Sequence, residues 1–386
     1  MEISNNVKYV GVNDRITDLF ESQYRIPNGI SYNSYVIKDE KTAIMDSVDI
    51  RFADEWLSNI EKAMDGANPD YLIVQHMEPD HSASVVRFAD KYPNALIVSS
   101  AKAFVMMANF FGCDFSDRRV VVTDGTILSL GSCDLSFITA PMVHWPEVIM
   151  TYDARDKVLF SADAFGKFGT PECDDGWVDE ARRYYIGIVG KYGAQVQNVL
   201  KKAKSLDIST ICPLHGPVLS EDLAKYISLY DKWSSYTPEE RGVTIACSSI
   251  YGNTMVAARE LESLLRERGL ESVSLFDLAR CDKSEAIASA FRYSHLVLAS
   301  ATYNGDVFPD MRAFISGLVE RGFSGRTVGI IENGSWAPMA AKVIRASLEG
   351  SKNITYTENS VKILSALNGE SRHSLALLAD ELVKGE

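Results

Sequence analysis

The chain has 386 residues, 46% of them hydrophobic and 24% charged, with a formal net charge of −13. That balance excludes nucleic-acid backbones and anionic membranes as general partners, because both repel a negative surface, while a local basic patch could still dock a small acidic protein. The length exceeds what one core usually fills, so two domains are expected; with no basic, apolar leader and no long apolar run, a soluble cytoplasmic protein is expected too.

Up to about residue 230 the pattern is rich in strands. SYVI and TAIMD flank KDEK as a hairpin, and YLIV, ALIVSS, VVVTDG and LSFITAP read as further strands. Helical stretches such as RFADEWLSNIEKAMDG and SASVVRFADKY are interspersed, so mixed sheets covered by helices are expected. DKWSSYTPEERG, residues 231–242, is polar, carries a proline and ends in glycine, as a linker does. The boundary is set at 240/241. Beyond it GVTIAC, SVSLFD, HLVLAS, TVGIIE and SVKIL alternate with helices, which predicts a doubly wound parallel sheet. The six cysteines form no CxxC pair and read as reduced, mostly buried thiols.

VQHMEPDHSAS, residues 74–84, places His76, Glu78, Asp80 and His81 just after the apolar run YLIV. Helix-capping acids on a surface loop would account for part of it, with Asp80 capping SASVV. A metal site accounts for more. His144 follows LSFITAP, Asp163 follows KVLF, and His215 follows DISTI, so ligand-type residues end four separate strands. An extended loop would turn His76, Glu78 and Asp80 to a similar side. Three carboxylates beside imidazoles form a hard, anionic set that suits iron better than a pair of zincs.

The H-x-E-x-D-H…H…D…H pattern resembles the flavodiiron proteins, or A-type flavoproteins, with Glu78 where hydrolase relatives carry histidine. The resemblance implies a metallo-β-lactamase-like αββα sandwich over residues 1–240, then a flavodoxin-like doubly wound sheet over 241–386. It implies one iron held by His76, Glu78 and His144, a second by Asp80, His81 and His215, and Asp163 as bridge. The segment FGTPECDDGWVDEARRYY is shorter than the family's usual one, which implies wider access to the metals. Tyr184 and Tyr185 are candidates for the pocket wall and equally for a core-facing helix side.

CSSIYGNTMVAA links the first strand and helix of the second half. Ser248, Ser249, Tyr251, Gly252, Asn253 and Thr254 at a helix N-terminus suit a phosphate monoester. ATYNGD adds Thr302, Tyr303, Asn304 and Gly305, and ENGSWAP adds Asn333, Gly334, Ser335 and Trp336. Tyr303 and Trp336 are expected to flank a flat ring. This half resembles flavodoxin, which implies FMN. The whole resemblance implies reduction of dioxygen to water, of nitric oxide to nitrous oxide, or of both, with electrons from a small protein such as rubredoxin. It also implies a head-to-tail homodimer or a dimer of dimers, with Trp336 between FMN and the partner's irons. Two other readings stay open: a zinc hydrolase fused to a flavodoxin, which Glu78 argues against, and an electron carrier with an idle first domain, which leaves buried charges unexplained.

Overall fold

Alternation along the strands builds the first unit. In the strand Tyr35–Ile37, Tyr35 and Ile37 enter one apolar cluster and Val36 enters another. In the strand Tyr71–Ile73, Leu72 parts in the same way from its two neighbours. Residues two apart share a face, so each strand feeds two cores. The structure is a computed structural model, and residues 2–173 and 176–384 are described; Asp174 and Asp175, inside the segment expected to be short, lie outside them.

Two sheets result. One has six strands, from Val7–Tyr9 at one edge to Arg119–Val122 at the other; the second has five, from Ile127–Ser129 to Thr210–Cys212. The core between them joins Ile37, Met45, Ile73 and Val98 of the first sheet to Leu135, Phe137, Ile149 and Phe160 of the second. The outer face of the first sheet is covered by the helices Ala53–Met64, Val85–Lys91 and Ala101–Phe111, through Trp56, Ile60, Phe88 and Met107. Sheet faces sheet with helices outside, the expected αββα arrangement. SYVI and TAIMD pair antiparallel, as the hairpin requires.

SASVVRFADKY differs from one continuous helix. A short helix Pro79–Ser82 precedes Val85–Lys91. Proline favours the first turn of a helix, and Pro79 starts this one within the motif.

In the second unit the parallel order is Val273–Asp277, Glu240–Ser248, Tyr293–Tyr303, Thr327–Asn333, with Val361–Ile363 beyond. This flavodoxin-like order reverses beside its first strand, which opens a crevice at the carboxyl ends there. The chain separates into units 1–231 and 232–386. The linker-like stretch is the end of the helix Leu223–Ser234, a connection and the start of the strand Glu240–Ser248. Of the cysteines, Cys133, Cys212 and Cys247 are buried, Cys113 is exposed, and Cys173 and Cys281 are intermediate. No helix among the described residues is long and apolar enough to cross a membrane.

Candidate metal and cofactor sites

Four of the metal-ligand candidates follow strands, and Asp80 and His81 lie in the helix Pro79–Ser82. His76 follows Tyr71–Ile73, His144 follows Asp134–Thr139, Asp163 follows Val158–Phe160 and His215 follows Thr210–Cys212. Buried apolar strands fix the starts of these loops, and the loops carry the polar groups. Met142, Ala162 and Phe165, close to His144 and Asp163, adopt positive φ of 65°, 50° and 67°. A side-chain-bearing residue held there is strained, and the surrounding packing maintains it.

The seven residues gather into two adjoining groups, His76–Glu78–His144–Asp163 and Asp80–His81–His215. Asp163 faces both. Its Oδ2 is 3.3 Å from His76 Nε2 and 3.0 Å from His144 Nε2; its Oδ1 is 3.3 Å from His81 Nε2 and 3.7 Å from His215 Nε2. Glu78 Oε2 lies 3.0 Å from His144 Nε2, and Asp80 Oδ2 lies 3.4 Å from both His81 Nε2 and His215 Nε2. The helix beginning at Pro79 explains why Asp80 parts from His76 and Glu78. The shared side expected of all three holds only for the latter two, because the extended backbone ends before Asp80. Asp80 does not cap the following helix either, whose N-cap position is Ser84.

The donor set fits cations. His81 Nε2 and His215 Nε2 are 3.0 Å apart, and His76 Nε2 and His144 Nε2 are 3.3 Å apart. Facing ring nitrogens need a shared proton or a metal between them. Both oxygens of Asp80 and of Asp163 are buried without a hydrogen-bond partner among the described residues. Such oxygens cost several kcal/mol unless a cation compensates them. Burial raises the Asp163 carboxyl, but the surrounding imidazoles outweigh it and hold it well below the usual range. Glu78 is lowered in the same way by His144 and His76. Burial lowers His144, yet Asp163 and Glu78 drive it up to about 9; burial and the neighbouring His81 push His215 down to about 3. Asp80 is pushed up to about 7, chiefly by burial. The pocket therefore keeps protons where a cation would otherwise sit.

Sequence reasoning missed the groups that orient these ligands. Glu147 Oε1 accepts from His76 Nδ1 at 2.9 Å and from the Met77 amide at 2.8 Å. His215 Nδ1 donates to the Ser31 carbonyl at 2.7 Å, which leaves Nε2 free to ligate. An acid three residues after His144 in HWPE was the available signal. Glu147→Ala should weaken metal retention about 10–100-fold without unfolding the chain, since outer partners typically carry that much. Equilibrium dialysis against a metal buffer measures it, and unchanged affinity would remove Glu147 from the site. Also missed were the aromatic ring of Phe20, edge-on to His215 at 5.4 Å, and Glu21, whose carboxyl is raised by burial and by Glu78 beside it. Tyr184 and Tyr185 are both fully buried. Tyr184 packs 5.4 Å from His215, whereas Tyr185 packs against Tyr230.

In the second unit a cavity of about 460 Å³ opens at the crevice. Ser249, Tyr251, Asn253, Thr254, Thr302, Asn304, Gly305, Asn333, Gly334, Ser335 and Trp336 line it; Ser248, Gly252 and Tyr303 do not. Tyr303 instead packs edge-on to Phe308 at 5.5 Å. Met339 and Ser365 join the wall unforeseen, the latter from the loop after the fifth main strand. Asn304 and Gly305, with φ of 50° and 74°, close a hairpin between Tyr303 and Asp306. The Asn-Gly pair is what such a turn demands.

This cavity fits a phosphorylated planar cofactor. The helix Asn253–Glu267 starts at Gly252, φ 94°, without a side-chain cap, and its first two residues, Asn253 and Thr254, line the cavity. A Cβ on Gly252 would meet nothing, so the loop is open there for a ligand. Tyr251 and Trp336 are 95% and 91% exposed, large flat surfaces ready to stack on a ring.

A family model described as "ODP family beta lactamase" matches residues 30–216. An anaerobic nitric oxide reductase flavorubredoxin of Salmonella arizonae is 30% identical over 329 residues, covering 82% of this chain and 68% of that one. An uncharacterized protein of Methanocaldococcus jannaschii is 30% identical over 323 residues, covering 82% and 81%. Among solved structures, the flavodiiron protein of Giardia intestinalis superposes with a TM-score of 0.90 at 28% identity, covering 99% of this chain and 96% of that one. The rubredoxin oxygen:oxidoreductase of Desulfovibrio gigas shares the fold at a TM-score of 0.90 and 24% identity, covering 99% and 97%. With the relatives matched over both halves and the histidine–carboxylate set assembled, the chain belongs to the flavodiiron protein family.

Proposed function

We propose that this chain is an FMN- and diiron-dependent oxidoreductase that reduces dioxygen to water, nitric oxide to nitrous oxide, or both, and thereby removes these oxidants from the cytoplasm. The observation that supports it best is Asp163, with one oxygen toward His76 and His144 and the other toward His81 and His215. A carboxylate so placed would serve two cations at once. His76, Glu78 and His144 would hold one iron, and Asp80, His81 and His215 the other, within residues 1–240. The residues lining the cavity, from the loops at Ser249–Thr254, Thr302–Gly305 and Asn333–Trp336, would hold FMN within 241–386. When bound, FMN relays electrons and the iron pair supplies one-electron steps and open positions for a diatomic ligand.

The chain's own groups shape that chemistry. Three carboxylates would offset ferric charge and would keep the metals in place through changes of oxidation state. Glu147 and the Ser31 carbonyl lock ring orientation at His76 and His215. Glu21, beside Glu78, holds its proton more tightly than an ordinary glutamate. Phe20 and Tyr184 restrict water around His215.

The test is elemental analysis, then anaerobic reduction and consumption assays with each gas on iron-loaded protein. Two irons per chain with turnover supports the reading; zinc with full flavin and no redox activity defeats it. A small protein such as rubredoxin is the proposed donor, and a head-to-tail homodimer or dimer of dimers the proposed assembly, with Trp336 between FMN and the partner's irons. A mixed dimer pairing an Asp163→Ala chain with an FMN-binding-defective chain tests that. Both defects then meet at one interface, so about half the activity should remain by two-fold symmetry. Pairing of cofactors within each chain would leave none.

A further inference from the structure

Tyr32 is only 2% exposed and stands edge-on to both imidazoles of the second metal group, 6.3 Å from His81 and 6.0 Å from His215 between ring centroids. Its hydroxyl donates to Asp14 Oδ2 at 3.0 Å. Asp14 is wholly buried and belongs to neither metal group. Its Oδ1 accepts from the Ile16 and Thr17 amides at 2.8 and 3.0 Å; its Oδ2 accepts from the Thr17 hydroxyl at 2.7 Å and Arg51 Nη2 at 2.9 Å. The Arg51 side chain is 48% exposed, so the network runs from the imidazoles to solvent.

A buried phenol can give up an electron readily only if its proton has somewhere to go. Tyr32 has a fixed carboxylate at its hydroxyl, with a cation behind it. Tyr184 is comparably close to His215, 5.4 Å, but no hydrogen bond from its hydroxyl to a carboxylate occurs among the described residues.

We propose that Tyr32 is a redox-active outlet for the metal centre, with Asp14 as its proton acceptor. This rests on the dioxygen-reducing reading above. Dioxygen takes four electrons to become water, and the two irons supply only two. When the flavin is oxidised the centre is left two electrons short: Tyr32 supplies the third, and the fourth arrives with the next reduced flavin, which also restores Tyr32. Tyr32 then gives one electron to the oxidised centre. Its O–H bond breaks, and the proton forms a bond to Asp14 Oδ2. An electron arriving later from reduced flavin, with return of that proton, restores the phenol. While Asp14 carries the proton it is neutral, and Arg51 keeps Asp49 as its anionic partner at 2.8 Å and links the pair to solvent.

The experiment uses the full chain loaded with iron, its irons reduced and its flavin oxidised. The protein is mixed with dioxygen, frozen after set intervals and examined by electron paramagnetic resonance. A transient tyrosyl radical is expected, and ring-deuterated tyrosine should narrow it. Tyr32→Phe should lose the signal with its iron content intact and should inactivate in several-fold fewer electron-limited turnovers. Tyr184→Phe should keep it, and Asp14→Asn should lower its yield. A radical that survives Tyr32→Phe, or moves with Tyr184, overturns the proposal. So does unmutated protein that consumes dioxygen without any tyrosyl signal, and in that case the functional reading stands. Iron-loaded protein that consumes nitric oxide but no dioxygen overturns the outlet alone, and protein that consumes neither gas brings down the functional reading and the outlet with it.

Discussion

Asp163→Ala should strip at least one metal from the first unit while the second keeps its FMN. The side chain is fully buried, and its two oxygens face two pairs of imidazoles. Alanine removes an anionic contact to each cation at once. Activity should therefore fall by more than the roughly 10–100-fold that loss of an outer partner costs. The electrostatics should change in step. In the metal-free protein, burial lowers His76 and His144, but Asp163 and neighbouring carboxylates raise both above the ordinary imidazole range. Without Asp163 burial gains ground, and both imidazoles should shed protons at lower pH. Metal analysis, flavin absorbance and an NMR titration of the histidine rings follow the three effects separately. A variant that kept two metals and full turnover would end the bridging role.

The ligand set was legible because its members punctuate strongly apolar runs. YLIV, LSFITAP and KVLF admit few charged residues, so His76, His144 and Asp163 stood out where each run stops. The partition of the set was harder to read. His76, Glu78 and Asp80 alternate in sequence, but Pro79 begins a helix and turns Asp80 to the other group. That depends on where extended backbone ends, which alternation alone does not reveal. Glu147 and Ser31 were hidden for a different reason. They act through long-range contacts, 71 and 184 residues away in sequence from the histidines they hold. Phe20 and Glu21 come from a two-residue strand and its turn, too short for any periodic signal. In the second unit the regular alternation of strands and helices marked the crevice, because a parallel order leaves few places for a site. Which aromatic rings reach the cavity was not fixed by the loops they occupy. Tyr251 lines it, whereas the hairpin at Asn304–Gly305 leaves Tyr303 against Phe308.

Arg326→Met should destabilise the second unit by about 3–5 kcal/mol, because several buried carbonyls lose their donor at about 1–3 kcal/mol each. Arg326 is 2% exposed, and its guanidinium is spent on main-chain carbonyls. Nε donates to Tyr293 at 2.8 Å, Nη2 to Phe291, and Nη1 to Tyr236 at 2.6 Å and Ser324 at 2.9 Å. These carbonyls belong to the end of one helix, the start of the strand Tyr293–Tyr303, the connection before Glu240 and the loop before Thr327. Three chain segments, at Tyr236, Phe291–Tyr293 and Ser324, thus meet on one planar cation. Burial lowers its pKa to about 10, so it stays charged near neutrality. Methionine fills similar volume but donates nothing, and each carbonyl left buried and unpaired costs about 1–3 kcal/mol. Some of them will recover water, which keeps the total below the simple sum. Lysine should fall in between, because a point charge on a flexible stem cannot meet carbonyls spread around a plane. Urea unfolding followed by FMN release and circular dichroism gives the difference, with metal content of the first unit as the control. A loss under about 1 kcal/mol for methionine would show that these carbonyls find other partners and that the guanidinium is not the clamp.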